Sequence, residues 1–149
     1  MLYDISIALK LPLGLWKKLV LFGLSAFFIY FGVDHFINLD FYLSIMPPSF
    51  PLHEEAVYIS GFFEIVGGIG VLIPRFRKIA GWGLVALLIA VYPANIYMAI
   101  SPESFPDIPI EVLYFRLALQ FLFFYWAYSV TRPVFNLSLI HISEPTRPY

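Results

Sequence analysis

One carboxylic acid, Glu64, lies in the middle of an apolar segment long enough to cross a bilayer, VYISGFFEIVGGIGVLIPR from Val57 to Arg75. An ionised carboxylate in hydrocarbon costs several kcal/mol, so such a residue is paired, protonated, next to water or functional. Other polar residues also fall inside apolar segments or at their ends. They are Asp34, His35, Asn95, Arg116 and Gln120. We predict that these side chains and Glu64 form a ligand or proton site.

Helical spacing favours convergence of these side chains. Residues four apart lie on the same face of a helix, which applies to Arg116 and Gln120 and also to Ser60, Glu64 and Gly68. The glycines of the second apolar segment make that helix thin, and small residues allow membrane helices to pack closely. We therefore expect Glu64 to point into a helix bundle, with Arg116 as its counter-charge.

Each candidate also has a purely structural interpretation. Glu64 and Arg116 are equally well explained by a buried ion pair that only joins helices. His35, next to Asp34, could be a pH-sensitive or quinone-contacting group. A histidine at the end of an apolar segment is more commonly located at the membrane interface, and we expect that position for it. Asn95 is expected to form a hydrogen bond between helices rather than to contact a substrate.

Composition assigns the chain to the membrane class of proteins. Hydrophobic residues make up 60% of its 149 residues and charged residues only 13%, whereas soluble domains carry roughly a quarter of charged residues. The net charge of -1 and the lack of a basic cluster argue against nucleic acid as a partner. The sequence has no cysteine, no histidine spacing typical of a metal site and no serine in a nucleophile elbow. No metal site and no stand-alone enzyme are therefore predicted.

Four apolar segments predict membrane-spanning helices at about residues 17–36, 56–73, 79–100 and 112–130. Each has close to the ~20 residues needed to cross ~30 Å of hydrocarbon. Short connections make consecutive helices antiparallel neighbours. The predicted fold is therefore an all-α membrane protein, a four-transmembrane-helix up-down bundle that forms one domain over residues 1–136. Residues 38–55, which contain Pro47, Pro48 and Pro51, are predicted to form a loop against the lipid head groups.

The distribution of charges predicts the orientation of the bundle. Lysine and arginine residues outside the spans occur before the first predicted span, between the second and third, and after the fourth. The other two connections contain acidic residues and neither lysine nor arginine. By the positive-inside rule, both termini are cytoplasmic and the acidic connections face outward. We expect a multi-pass protein of the bacterial cytoplasmic (inner) membrane, with the lipid bilayer as its surroundings.

The carboxyl-terminal segment differs in kind from the rest of the chain. Residues Leu137 to Arg147, LSLIHISEPTR, match the translation of a common sequencing adapter. We expect residues 137–149 to be a non-native tail, so that His141 and Glu144 have no functional role. A genuine polar tail is the alternative interpretation.

Several segments, taken in order, carry a family resemblance. They are VDHF at Val33–Phe36, MPP at Met46–Pro48, the apolar segment at Val57–Pro74, YPANIYMA at Tyr92–Ala99 and RLALQFLFFYWAY at Arg116–Tyr128. Together they resemble the DoxX-like family of small bacterial integral membrane proteins over nearly everything from Leu19 to Tyr128. One departure is Ala118, where many relatives are expected to have proline.

The resemblance implies a four-span membrane protein associated with redox metabolism, and Glu64, Asn95, Arg116, Gln120 and His35 fall in its recognisable segments. One hypothesis is an accessory subunit of quinone-linked or sulfur metabolism, with quinone as a ligand and redox-enzyme subunits as partners. Another is a small-molecule or ion permease, which would act as a homo-oligomer because the four spans contain no internal repeat. The remaining hypothesis is a structural membrane scaffold.

Overall fold

The computed structural model describes residues 14–132. Its helices are α1 (Leu15–Ile37), α2 (Leu39–Ser44), α3 (His53–Gly70), α4 (Arg77–Ile100) and α5 (Ile110–Ser129), with a 3₁₀ turn at Pro102–Ser104. Every regular element of the described residues is helical, which confirms the predicted all-α class. The predicted non-native tail at residues 137–149 lies outside the described residues.

Three of these helices, α1, α4 and α5, are long and apolar enough to cross a membrane. They contain 23, 24 and 20 residues, which correspond to about 30–36 Å of helix at ~1.5 Å per residue. Helix α3 has 18 residues and carries Glu54, Glu55 and Glu64, so it is less apolar than the others. The length and composition of α1, α4 and α5 therefore indicate a membrane protein.

The prediction of one loop over residues 38–55 is wrong, because α2 occupies part of it and α3 already begins at His53. Asn38 separates α1 from α2: its φ of -112° and ψ of 44° are not helical, although its N–H still bonds the Asp34 carbonyl at 2.8 Å. Helix α2 can form after this break because no proline occurs between Asn38 and Pro47, where the ring removes a backbone donor.

The second span was predicted at residues 56–73, and the observed helix α3 begins and ends three residues earlier, at His53 and Gly70. Helix α3 ends at Gly70, and the following residues form successive turns in which Leu72 bonds Ile69 and Ile73 bonds Gly70 through backbone N–H and carbonyl groups. The buried guanidinium of Arg77 completes this end, since its Nε donates to the Val71 carbonyl at 2.8 Å. A cation at the carboxyl end of a helix is favoured by the helix dipole.

Close contact between α1 and α3 organises the first half of the bundle. A Cβ added at Gly61 would lie 2.8 Å from the Gly32 carbonyl oxygen, and one added at Gly32 would lie 2.7 Å from the Gly61 carbonyl oxygen. Gly68 packs against the Ile29 side chain of α1, because a Cβ added at Gly68 would lie 2.8 Å from the Ile29 Cγ1. The two helices thus approach backbone to backbone, as small residues permit in membranes.

The remaining helices continue the packing, with α4 in contact with both α3 and α5. Helix α5 returns to α1 near one end of the bundle, where Trp126 Nε1 donates to the Val20 carbonyl at 2.9 Å. The rings of Phe27 and Phe123 lie 4.6 Å apart in the same contact. The main apolar core lies at this end and includes Leu21, Leu24, Phe28, Leu84, Leu88, Ala127 and Val130.

We predict that Gly61→Ala lowers the free energy of unfolding by about 1–3 kcal/mol, because the added methyl group overpacks a contact between backbones. Gly83→Ala is the matched control, since a Cβ there meets nothing within 4 Å. It should leave stability unchanged or raise it by up to about 1 kcal/mol through helix propensity. Unfolding in mixed detergent micelles measures both, and equal changes would contradict the proposed role of the contact.

Candidate functional site

All six side chains predicted from the sequence line one cavity, which we call the polar cavity. It has a volume of about 710 Å³ and lies among α1, α3, α4 and α5, with α2 and the segment up to Phe50 along its wall. The six are Asp34, His35, Glu64, Asn95, Arg116 and Gln120. Most of the remaining lining is aromatic or aliphatic. The predicted convergence of these residues is therefore present in the fold.

The carboxyl group of Glu64 is buried, with only 8% of the residue exposed, and it faces His35 rather than Arg116. Its Oε2 lies 3.3 Å from His35 Nδ1. That nitrogen also lies 2.8 Å from the Phe31 carbonyl oxygen, and because a carbonyl can only accept, Nδ1 carries the hydrogen. The hydrogen is directed to Phe31, which leaves Glu64 Oε2 without a hydrogen-bond partner among the described residues.

The prediction that Arg116 is the counter-charge of Glu64 is wrong for a geometric reason. The glycine contact presses α1 against α3, and the Cβ atom of His35 would lie 2.7 Å from a Cβ added at Gly61, one turn before Glu64. Arg116 is on α5, and both it and Glu64 line the polar cavity without an ion pair between them. The two side chains expected to form an ion pair therefore line the same cavity without one.

His35 lies within the protein, since its residue is only 7% exposed. Helix α2 folds back beside the end of α1, and the ring of Tyr42 stacks on the imidazole with 3.7 Å between centroids. The Tyr42 hydroxyl donates to Asp34 Oδ2 at 2.9 Å, while Asn38 Nδ2 donates to Asp34 Oδ1. Asp34 thus holds the Tyr42 ring of α2 in place over the imidazole of His35.

Tyr42 is a site residue that the sequence did not reveal. The sequence predicted residues 38–55 as a loop against the lipid head groups, so Tyr42 was not expected to contact Asp34 and His35 at the end of α1. Burial, followed by the hydrogen bond to Asp34, raises the pKa of the Tyr42 hydroxyl above its ordinary value. The phenol therefore remains the donor in this hydrogen bond.

The cavity lining on α4 and α5 carries a chain of hydrogen bonds, which we call the amide relay. Arg116 Nη2 donates to Asn95 Oδ1 at 3.3 Å, and Asn95 Nδ2 donates to Gln120 Oε1 at 2.9 Å. Gln120 Nε2 then donates to the Leu88 carbonyl at 2.9 Å. The prediction that Asn95 forms a hydrogen bond between helices is confirmed.

The last acceptor of the relay, the Leu88 carbonyl, is a further residue that sequence reasoning missed. Pro93 lies inside α4 and has no N–H, so the carbonyl of Ile89, four residues earlier, loses its helical donor. The side chain of Gln120 bonds the adjacent carbonyl instead. Pro93 therefore does not account for this acceptor, and nothing in the sequence indicated it.

Two buried polar atoms of the cavity have no hydrogen-bond partner among the described residues: Glu64 Oε2 on the α3 wall and Arg116 Nε on the α5 wall. Oε2 is an acceptor, or a donor when the acid is protonated, whereas Nε–H can only donate. Buried polar groups are normally paired, so an unpaired one indicates a missing partner. No cluster of three metal-binding side chains exists within residues 14–132.

A family sequence profile matches residues 24–131, which include every residue of the polar cavity. The chain belongs to the family of the domain of unknown function DUF8561. No curated protein and no solved structure matches it. The DUF8561 domain therefore extends from the middle of α1 to the end of α5.

We predict that Asn95 and Gln120 of the DUF8561 domain are energetically coupled. A double-mutant cycle with Asn95→Ala and Gln120→Ala should give a coupling of about 0.6–1.7 kcal/mol, the range measured for hydrogen bonds between membrane helices. Asn95→Ala combined with Trp126→Phe, more than a helical turn along α5 from Gln120, should be additive within about 0.5 kcal/mol. Unfolding in detergent checks both cycles, and an additive first cycle would show that the relay holds nothing together.

Proposed function

We propose that the protein is an integral membrane protein that holds the head group of a quinone-like molecule in the polar cavity. The observation that carries this proposal is that two buried polar atoms of the cavity lining, Glu64 Oε2 on α3 and Arg116 Nε on α5, have no hydrogen-bond partner among the described residues. A volume of about 710 Å³ is within the usual range of roughly 300–1,000 Å³ for small-molecule sites. By its resemblance to the DoxX-like family, such a protein would serve as an accessory subunit of quinone-linked or sulfur metabolism.

The chemistry of the lining fits a quinone head group. Arg116 Nε–H would donate to one ring carbonyl, and a hydrogen bond from a guanidinium is stronger than a neutral one. Glu64 in its acid form would donate to the opposite carbonyl. The rings of Phe27, Phe31 and Phe123 supply apolar surface for a flat ring and its tail. A bound quinone would act as an electron carrier that takes up protons on reduction. Glu64, beside His35, is the group placed to exchange protons with it.

The proposal includes a fourth membrane span formed by α3, which completes the up-down bundle. Its 18 residues correspond to about 27 Å, close to the ~30 Å of a hydrocarbon core. Glu54 and Glu55 belong to its first turn, where they can reach the head groups, so Glu64 is the carboxylate of this helix that needs the cavity. The charge distribution supports cytoplasmic termini in a bacterial inner membrane.

A structural scaffold is the competing interpretation, and the amide relay is the observation that favours it. The relay joins α4 to α5 without any ligand, as a purely structural clasp would. It leaves Arg116 Nε and Glu64 Oε2 unused, however, and a clasp has no need of them. An assembly with redox-enzyme subunits or with a second copy of the chain belongs to the proposal and rests on the family resemblance alone.

We predict that the purified protein in nanodiscs binds a short-chain ubiquinone with one isoprenoid unit and that Arg116→Leu weakens this binding about tenfold or more. Loss of a hydrogen bond from a charged group costs roughly 1.5–3 kcal/mol. Equilibrium dialysis with the labelled quinone measures the dissociation constant. Glu64→Leu should weaken binding similarly.

Arg75→Leu and Glu54→Leu are the matched controls for this experiment, because both residues are exposed and neither lines the polar cavity. They should leave the dissociation constant within about twofold of the starting protein, since a surface substitution away from the site has a small effect. A wild-type protein that binds no quinone, or cavity variants that lose stability while keeping full affinity, would favour the scaffold.

We predict that α3 places the segments on either side of it on opposite faces of the membrane. The chain has no cysteine, so single cysteines report without background. Ser49→Cys and Ser104→Cys should react with an impermeant maleimide from the periplasmic side, whereas Lys78→Cys should react only after the inner membrane is opened. Reaction of Ser49→Cys and Lys78→Cys from the same side would contradict a span at α3.

A further inference from the structure

A second cavity, the α3–α4 groove, runs along the surface between these two helices and has a volume of about 750 Å³. Its walls consist of apolar residues, with Val66, Ile69 and Gly70 on α3 and Ala80, Gly83 and Ala86 on α4. Ile69 is 48% exposed at its rim. The groove therefore opens sideways, toward the surroundings of the bundle, and has none of the polar groups that would hold water.

The groove is open beside Gly83, which is exposed and has no neighbouring side chain over it. A Cβ added at Gly83 would meet nothing within 4 Å, whereas one added at Gly70 would lie 2.8 Å from the Ala80 Cβ. A protein surface in hydrocarbon is covered by lipid tails, so this concavity accepts an apolar chain. Along α4 the lining runs from Ile79 to Ala90, which is about 16 Å at ~1.5 Å per residue. That length matches the roughly 15 Å of hydrocarbon in one leaflet of a ~30 Å core.

One end of the groove is strongly basic. Its lining includes Ile73, Phe76 and Ile79, which alternate with the cations of the connection between α3 and α4. The Arg75 guanidinium carbon lies 6.0 Å from the centre of the Phe76 ring, and Lys78 is exposed immediately before Ile79. The sequence contains no acidic residue between Glu64 and Glu103. This end of the groove therefore carries positive charge with no carboxylate nearby in sequence.

We propose that the α3–α4 groove is a binding site for an anionic phospholipid. One acyl chain lies along Gly83, and the phosphate contacts Arg75 and Lys78 at the mouth. Basic clusters beside transmembrane helices attract anionic head groups, and arginine matches phosphate with two parallel donors. The groove has the length of a lipid tail and a cationic mouth. The apolar groove favours a lipid over free phosphate, and the cations favour an anionic lipid over a neutral one.

The full chain is purified from nanodiscs that contain equal amounts of phosphatidylglycerol and phosphatidylcholine. Native mass spectrometry then measures which lipid it retains. The unmodified protein is expected to retain phosphatidylglycerol about tenfold over phosphatidylcholine, since each cation near a membrane surface favours anionic lipid several-fold. The double variant Arg75→Gln and Lys78→Gln should lose this preference. Lys17→Gln with Lys18→Gln removes the same charge at the start of α1 and should keep it.

Gly83→Leu fills the groove and should abolish retention of either lipid, while Ala118→Leu, on an exposed face of α5, should not. Inorganic phosphate at millimolar concentration should not displace the lipid. Equal retention of the two lipids by the unmodified protein, or full retention by Gly83→Leu, would overturn the proposal. If Gly83→Leu fails to fold, the charge variants decide alone. Quinone binding plays no part in these measurements, so the two proposals fail independently.

Discussion

The contact between the backbones of Gly32 and Gly61 is the constraint on which the site depends. Because no side chain separates α1 from α3 at this level, the imidazole of His35 is pressed beside the carboxyl group of Glu64. A larger residue at either glycine would move these two groups apart. The same contact leaves Glu64 in the lining of the polar cavity, where its Oε2 has no hydrogen-bond partner among the described residues.

Much of the site was predictable because helical periodicity is readable from sequence. It placed Arg116 and Gln120 on one helix face, and the glycines around Glu64 predicted that this side chain points into the bundle. Sequence spacing does not say which neighbouring helix a face meets, so Arg116 was assigned to Glu64 when His35 is the residue in contact. Tyr42 was missed for a related reason: it enters the site through a break at Asn38 that the pattern of apolar residues does not encode.

The fold shows the same division between local and tertiary information. The long apolar segments predicted α1, α4 and α5 closely, since their composition alone favours helices in a membrane. The ends of α3 were predicted less well, because they depend on a turn after Gly70 and on the Arg77 side chain that folds back onto Val71. From sequence, an arginine in a connection is expected to be an exposed charge. The packing of the fold is what buries Arg77 against the end of α3.

The amide relay has a fixed direction, and this limits how protons can move in the cavity. It begins at Arg116, which can only donate, and ends at a backbone carbonyl, which can only accept, so Asn95 and Gln120 each have one allowed orientation. Every link is an N–H that keeps its hydrogen. Within the cavity lining, the amide relay therefore offers no group that exchanges a proton at neutral pH, whereas Glu64 and His35 both carry titratable side chains.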